Sequence, residues 1–127
     1  MKTTYRLKIA LLLFAFAAPC LAAISTIEKN GAYYNIFDEN GKKTATISTQ
    51  IGTLLGWGSD YFIVQNGAFY NLHDESGKKY KTLSTNIGEI ATVSSTTFIV
   101  RRQAGSAAWL DTYDKTGTKT STRPERK

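Results

Sequence analysis

With one cysteine, one histidine, one methionine and two prolines among 127 residues, the chain is short of the groups on which much site chemistry depends. Zinc takes several N or S ligands, and a lone His with a lone Cys does not supply them. Ten glycines and two prolines are too few for a collagen-like chain or a linker. The apolar share of 42% is too high for a disordered one. The length allows one small domain. What is present in excess is positive charge, a formal +6, which raises nucleic acid or an anionic surface as a partner. Where the charges sit decides that question.

Three of them, Lys2, Arg6 and Lys8, precede an unbroken apolar run from Ile9 to Ala18 and the exit Pro19-Cys20-Leu21-Ala22-Ala23. A positive start, a short apolar core and small residues at the exit form a secretory signal peptide, expected over residues 1–22, with cleavage after Ala22 and Ala23 as the next choice. The apolar core is shorter than the roughly 20 residues a bilayer span needs, so no stable membrane insertion is expected. Acylation of Cys20 is a competing reading, and Pro19 stands where a small residue is wanted. Removing 22 of 127 residues leaves 105, no Cys and half of the +6. The expected address is periplasmic or secreted, and a chain without a disulfide in that oxidising space depends on packing. Residues 23–114 hold eight Lys or Arg against nine Asp or Glu; beyond them stand Lys115, Lys119, Arg123, Arg126 and Lys127 against Glu125 alone. The body is close to neutral, and nucleic acid is not an expected partner.

The body repeats itself. Asn30-Gly-Ala-Tyr-Tyr-Asn-Ile-Phe-Asp-Glu-Asn-Gly-Lys-Lys43 recurs as Asn66-Gly-Ala-Phe-Tyr-Asn-Leu-His-Asp-Glu-Ser-Gly-Lys-Lys79, and residues 30–65 match 66–101 at 19 of 36 positions without a gap. A partial third copy over 102–120 aligns Trp109 to Lys119 with Phe69 to Lys79, four residues later than the period demands. Those four residues fall near Arg102 to Gly105 and predict a longer loop there. Self-similarity at such a period marks a repeat architecture. A single repeat domain is expected over 23–118, followed by a basic flexible tail over 119–127.

Each unit reads as strands. Tyr33 to Phe37 ends at Asp38-Glu39-Asn40-Gly41, and the same Asp-x-x-Gly stands at Asp74 and Asp114. Asp opens such a turn with its side chain and Gly closes it at positive φ. Thr44 to Thr49 alternates, Thr53 to Trp57 follows a Gly, and Tyr61 to Val64 is a continuous apolar run. The fold class expected is all-β, an antiparallel meander of tandem four-strand units of about 36 residues. Four strands in that length resemble a β-propeller blade; fewer than three units are present, so a shared ring of identical chains, a β-trefoil-like fold or a meander barrel are the alternatives.

No catalytic, cofactor or metal residue is expected, and the chain is not expected to be an enzyme. His73 has Phe37 and Tyr113 as its equivalents, which makes it a flat packing position. Departures from the repeat are the candidate binding surface: Trp57, where the second unit has Val93, and Arg101, Arg102 and Trp109 around the insertion. Exposed aromatic residues anchor binding patches. The expected function is that of a small non-enzymatic binding protein of the bacterial envelope, acting by protein–protein interaction as an inhibitor or immunity-type protein does. An alternative is glycan recognition by the repeated face carrying Tyr33 and Asn35, Phe69 and Asn71, and Trp109 and Asp111, if that face is open. A third class is an assembly module pairing through its edge strands, as a homo-oligomer.

Overall fold

The structure, a computed structural model, describes residues 23–126; the expected export segment 1–22, with Cys20, lies outside the described residues, as does Lys127. Eleven strands follow one another: β1 (Thr26–Asn30), β2 (Tyr33–Phe37), β3 (Lys43–Ser48), β4 (Thr53–Trp57), β5 (Tyr61–Asn66), β6 (Phe69–Asp74), β7 (Lys79–Ser84), β8 (Glu89–Val93), β9 (Thr97–Ala104), β10 (Ala107–Asp114) and β11 (Lys119–Pro124). Each pairs only with its neighbours in sequence, which yields three antiparallel sheets: sheet I with β1 to β3, sheet II with β4 to β7, and sheet III with β8 to β11. Among the described residues no strand of one sheet pairs with a strand of another, so the barrel alternative is overturned, and with it the closed trefoil. The blade-like meander stands. The sequence units straddle the sheets, because residues 30–65 supply the last two strands of sheet I and the first two of sheet II.

The Asp-x-x-Gly turns form as their chemistry dictates. Asp74 Oδ1 accepts the amides of Ser76 at 2.9 Å and Lys78 at 3.0 Å, and Gly77 closes the turn at φ 93°. Asp38 and Asp114 do the same for Asn40 and Lys42 and for Thr116 and Thr118. Successive sheets are joined by single 3-10 turns, Thr49–Ile51 and Thr85–Ile87, capped by the Ser48 and Ser84 hydroxyls. Their signature is the repeated Ser-Thr-x-Ile-Gly, which carries no helical periodicity to be read.

Sheet II lies in the middle of the stack. One of its faces packs Phe62 and Val64 against Ile27, Tyr34 and Ile36 of sheet I. The other packs Tyr61, Ile63, Tyr70 and Leu72 against Phe98, Val100 and Tyr113 of sheet III. That is why Tyr61 to Val64 reads as an unbroken apolar run: both faces are covered. Each junction is stapled by a tyrosine hydroxyl, Tyr34 donating to the Gly52 carbonyl at 2.7 Å and Tyr70 to that of Gly88 at 2.6 Å. The first strands of sheets II and III also touch, because Gly56 has no side chain; a Cβ there would lie 2.8 Å from Val93 Cβ.

The outermost faces are different. Where sheet II has Phe62 and Val64, the outer face of sheet I has Thr26 and Glu28; where sheet II has Leu72 and Leu83, that of sheet III has Thr112 and Arg123. The Tyr34 and Tyr70 position is Leu110 in sheet III, without a hydroxyl to staple a further sheet. Polar outer faces are what terminal units of a repeat stack carry.

Two expectations at the C-terminal side are corrected. The four inserted residues do not make a longer loop: β9 and β10 have 8 residues each against 6 for β5 and β6, and both hairpins turn in two residues, at Gly105-Ser106 and Gly67-Ala68. Added in pairs to both strands, they keep the alternation in register. The flexible tail from 119 is also not found, since Lys119–Pro124 is β11, paired along β10 as far as Trp109↔Pro124. As an outer edge strand exposed on both faces it carries no apolar residue, which makes a strand look like a polar end.

Candidate functional site

Each strand end belongs to one of two sides. The Asp-x-x-Gly turns lie on one, the two-residue turns at Gly31, Gly67 and Gly105 on the other. Arg102 and Trp109 are cross-strand partners beside the Gly105 turn, whereas Trp57 pairs with Phe62 near the Asp-turn side. The fold therefore brings Arg102 and Trp109 together and leaves Trp57 at the opposite end. Arg101 points to the other face of the same hairpin, where its Nε lies 2.7 Å from Glu125 Oε1.

Arg102 is fixed. Its Nε donates to Asp111 Oδ2 at 2.8 Å and its Nη2 to Asp111 Oδ1 at 3.2 Å, a two-point grip, and the Thr122 hydroxyl donates to Oδ1 at 2.8 Å. Asp111 is 1% exposed. The Arg102 bond, acting against burial and helped by Thr122, holds its carboxyl below the usual carboxylate range. Two-point charge-assisted pairs of this kind are the strong ones. Beyond the pair, Gln103 to Ala107 is exposed. Two extra residues per strand at about 3.3 Å each carry this hairpin roughly 7 Å past the length of its counterpart in sheet II. Trp109 is half-buried at its base.

The repeated Asn/Asp column has a structural employment that the sequence reading missed. Asn35 Oδ1 accepts from the Thr46 hydroxyl at 3.2 Å, Asn71 Oδ1 from Thr82 at 2.9 Å, and Asp111 from Thr122. The signal was a Thr eleven residues on in every copy. Of the three faces bearing this column, those of sheets II and III are turned toward the neighbouring sheet, and Asn71 and Asp111 are buried. The condition for glycan recognition, an open face, holds only in sheet I, where Tyr33 is 53% exposed and Asn35 and Phe37 are half-buried. Phe69 is 51% exposed at its strand end, on the face that sheet II turns toward sheet I.

Trp57 is half-buried on the cluster of Ile24, Ile27, Tyr34, Phe62 and Val64, with its indole N–H donating to the Ser25 carbonyl at 3.2 Å. His73 stacks on Phe62, centroids 5.0 Å apart, as Tyr113 stacks on Phe98 at 5.3 Å. Its Nδ1 lies 2.9 Å from the Gly77 carbonyl, which makes Nδ1 the protonated nitrogen.

A recess of about 300 Å³ between sheets II and III is lined by Asp60, Asp74, Glu75, Tyr80 and Lys115. Asp60 is held there by Lys115 Nζ at 2.7 Å. Asp74 is engaged by its own turn: burial alone would raise its carboxyl, but the Ser76 hydroxyl and the turn amides outweigh that and hold it below the usual range. Among the described residues no three His, Cys, Asp or Glu are grouped to hold a metal ion, and no helix is long and apolar enough to cross a membrane. Comparison with known proteins finds no match: no family model, no curated protein and no solved structure resembles the chain.

Proposed function

We propose that the mature chain is an exported, non-enzymatic binding protein of the bacterial envelope that acts by protein–protein interaction, of the inhibitor or immunity type, with the β9–β10 hairpin as its contact surface. The observation that supports this reading is the hairpin's excess length. The six-residue strands of β5 and β6 suffice to build and staple the central sheet. The four residues added in sheet III, Gln103, Ala104, Ala107 and Ala108, extend past the apolar cluster, and all but Ala108 are exposed. The Arg102–Asp111 pair stiffens their base, so that little ordering is left for the moment of binding.

Deleting those four residues together restores the β5–β6 length and keeps the Gly105-Ser106 turn. The expected result is an unchanged circular dichroism spectrum and loss of the single stoichiometric protein that the wild-type chain captures from envelope extract. Capture that survives the deletion, or no stoichiometric partner for the wild-type chain, overturns the reading. Glycan recognition has one open column, Tyr33-Asn35-Phe37, to rest on; quenching of intrinsic fluorescence by a free sugar would favour it.

A further inference from the structure

The junction between sheets II and III and that between sheets I and II are built from equivalent residues, and they differ at one place. Between sheets II and III, Asp111 is buried and accepts from Arg102 and Thr122, with Lys119 Nζ 3.9 Å from its Oδ2. Side chains of the chain itself occupy that place. Between sheets I and II the equivalents of Arg102, Asp111 and Lys119 are Asn66, Asn71 and Lys79. With Asn66 where the longer arginine would be, a recess of about 240 Å³ remains, lined by Asn66, Asn71, His73, Lys79 and Ile51 of the turn before β4. Among the described residues no carboxylate pairs with Lys79. The site keeps the lysine and lacks the acid.

His73 brings an unmet group to the same recess. It is 5% exposed and stacked on Phe62, with Nδ1 committed to the Gly77 carbonyl. Its Nε2 is buried and has no partner among the described residues. In that tautomer Nε2 accepts and does not donate, and buried polar atoms are as a rule met by a partner. Asn71 Oδ1 is already taken by the Thr82 hydroxyl, which leaves the Asn71 N–H groups for a further oxygen. One acceptor therefore stands beside donors on Asn71, Asn66 and Lys79.

We propose that this recess binds a small hydroxy carboxylate. The ligand's carboxylate takes the place that the Asp111 carboxylate holds in the next junction, accepting from Lys79 Nζ and the Asn71 amide, and its hydroxyl donates to His73 Nε2. A carboxylate alone would leave Nε2 unmet, and a hydroxyl alone would leave the place of the acid unfilled. Bonds to an ionised acceptor are the stronger kind, so the lysine supplies affinity and the histidine supplies selectivity. Ile51 and the His73 ring offer an apolar wall to the ligand's carbons. The volume lies below the roughly 300–1,000 Å³ of pockets for drug-sized ligands, which limits the acid to a few carbons.

The recess uses none of the hairpin residues, so it stands or falls separately from the function proposed above. His73 is the chain's one histidine, so its ring nitrogens can be followed by nitrogen-15 NMR without overlap. With the exported protein at about pH 8, where an unperturbed imidazole is neutral, millimolar lactate should move the Nε2 resonance saturably. Propionate, which lacks only the hydroxyl, should bind about tenfold more weakly through loss of one hydrogen bond to a buried acceptor. His73→Phe installs the residue of the first repeat, Phe37, and keeps a ring on Phe62; calorimetry should then find lactate and propionate bound equally. Lys79→Gln should weaken both acids by about tenfold or more, and Lys78→Gln neither. The absence of a saturable Nε2 shift with lactate overturns the proposal. So does propionate binding as tightly as lactate, or a preference for lactate that survives His73→Phe.

Discussion

Arg102 and Asp111 meet at 2.8 and 3.2 Å across the β9–β10 ladder, at the positions that Asn66 and Asn71 hold in the sheet before. The repeat thus puts an ion pair where the sheet before has two asparagines, in the one sheet whose hairpin is extended. Because Asp111 is buried and Arg102 is partly solvated, removal of the acid leaves a cation that water can still reach. Asp111→Asn should cost about 1.5–3 kcal/mol, the range for hydrogen bonds to charged groups, measured by urea denaturation. A loss below about 0.5 kcal/mol would mean that the pair does not brace the hairpin.

Acid should act through the same group and through two turns. Asp111 is held below the usual range by Arg102, Asp74 by its turn despite burial, and Asp114 by the Thr116 hydroxyl and the Thr118 amide. A carboxylate with a depressed folded pKa contributes stability that is present above its unfolded value, about 3.9, and is lost as pH falls through the folded value. Stability should therefore hold with respect to these groups from neutrality to about pH 4 and fall below it. Asp111→Asn should shallow that fall in denaturant midpoints measured against pH.

Gly56 is demanded by space. A Cβ there would lie 2.8 Å from both Cβ and Cγ2 of Val93, so Gly56→Val should destabilise by about 1–3 kcal/mol through overpacking. Val93→Ala in the same chain should recover a substantial part, and a double-mutant cycle measures the coupling. Additive effects would show that β4 and β8 are not pressed together in solution.

The tyrosine staples predict similar losses. Tyr70→Phe removes the hydroxyl bond to the Gly88 carbonyl and the Ile90 amide's bond to that oxygen, and should cost about 0.5–1.5 kcal/mol or somewhat more. Tyr34→Phe, which loses the Gly52 carbonyl and the Leu54 amide in the same way, should cost about as much. Leu110→Tyr, on a face with no sheet over it among the described residues, should change thermal stability by less than either.

The polar outer faces predict a monomer by light scattering. Thr112→Leu with Arg123→Leu restores the apolar pattern that sheet II uses at a junction, and should raise the mass in solution. A wild-type dimer would instead support a ring shared between chains.

Much of this fold is legible in the residues themselves. The strands Tyr33–Phe37 and Thr53–Trp57 and the three Asp-x-x-Gly turns follow from alternation and from local side-chain-to-amide bonding, forces that act within a few residues. The polar strand β11 and the Thr eleven residues after each Asn or Asp were present as repeats of β7 and of Asn71–Thr82, but polarity concealed the first and cross-strand pairing the second.

The sequence by itself determined the repeat, the strand content and the side chains that depart from the pattern, because these rest on local spacing. Only the tertiary structure decided what the departures are for. It separated Trp57 from Arg102 and Trp109, because a strand's two ends lie on opposite sides of the stack. It also closed two of the three aromatic columns, because packing one sheet on the next buries one repeat's surface against another's, and a repeating sequence does not record which copy stands at the end.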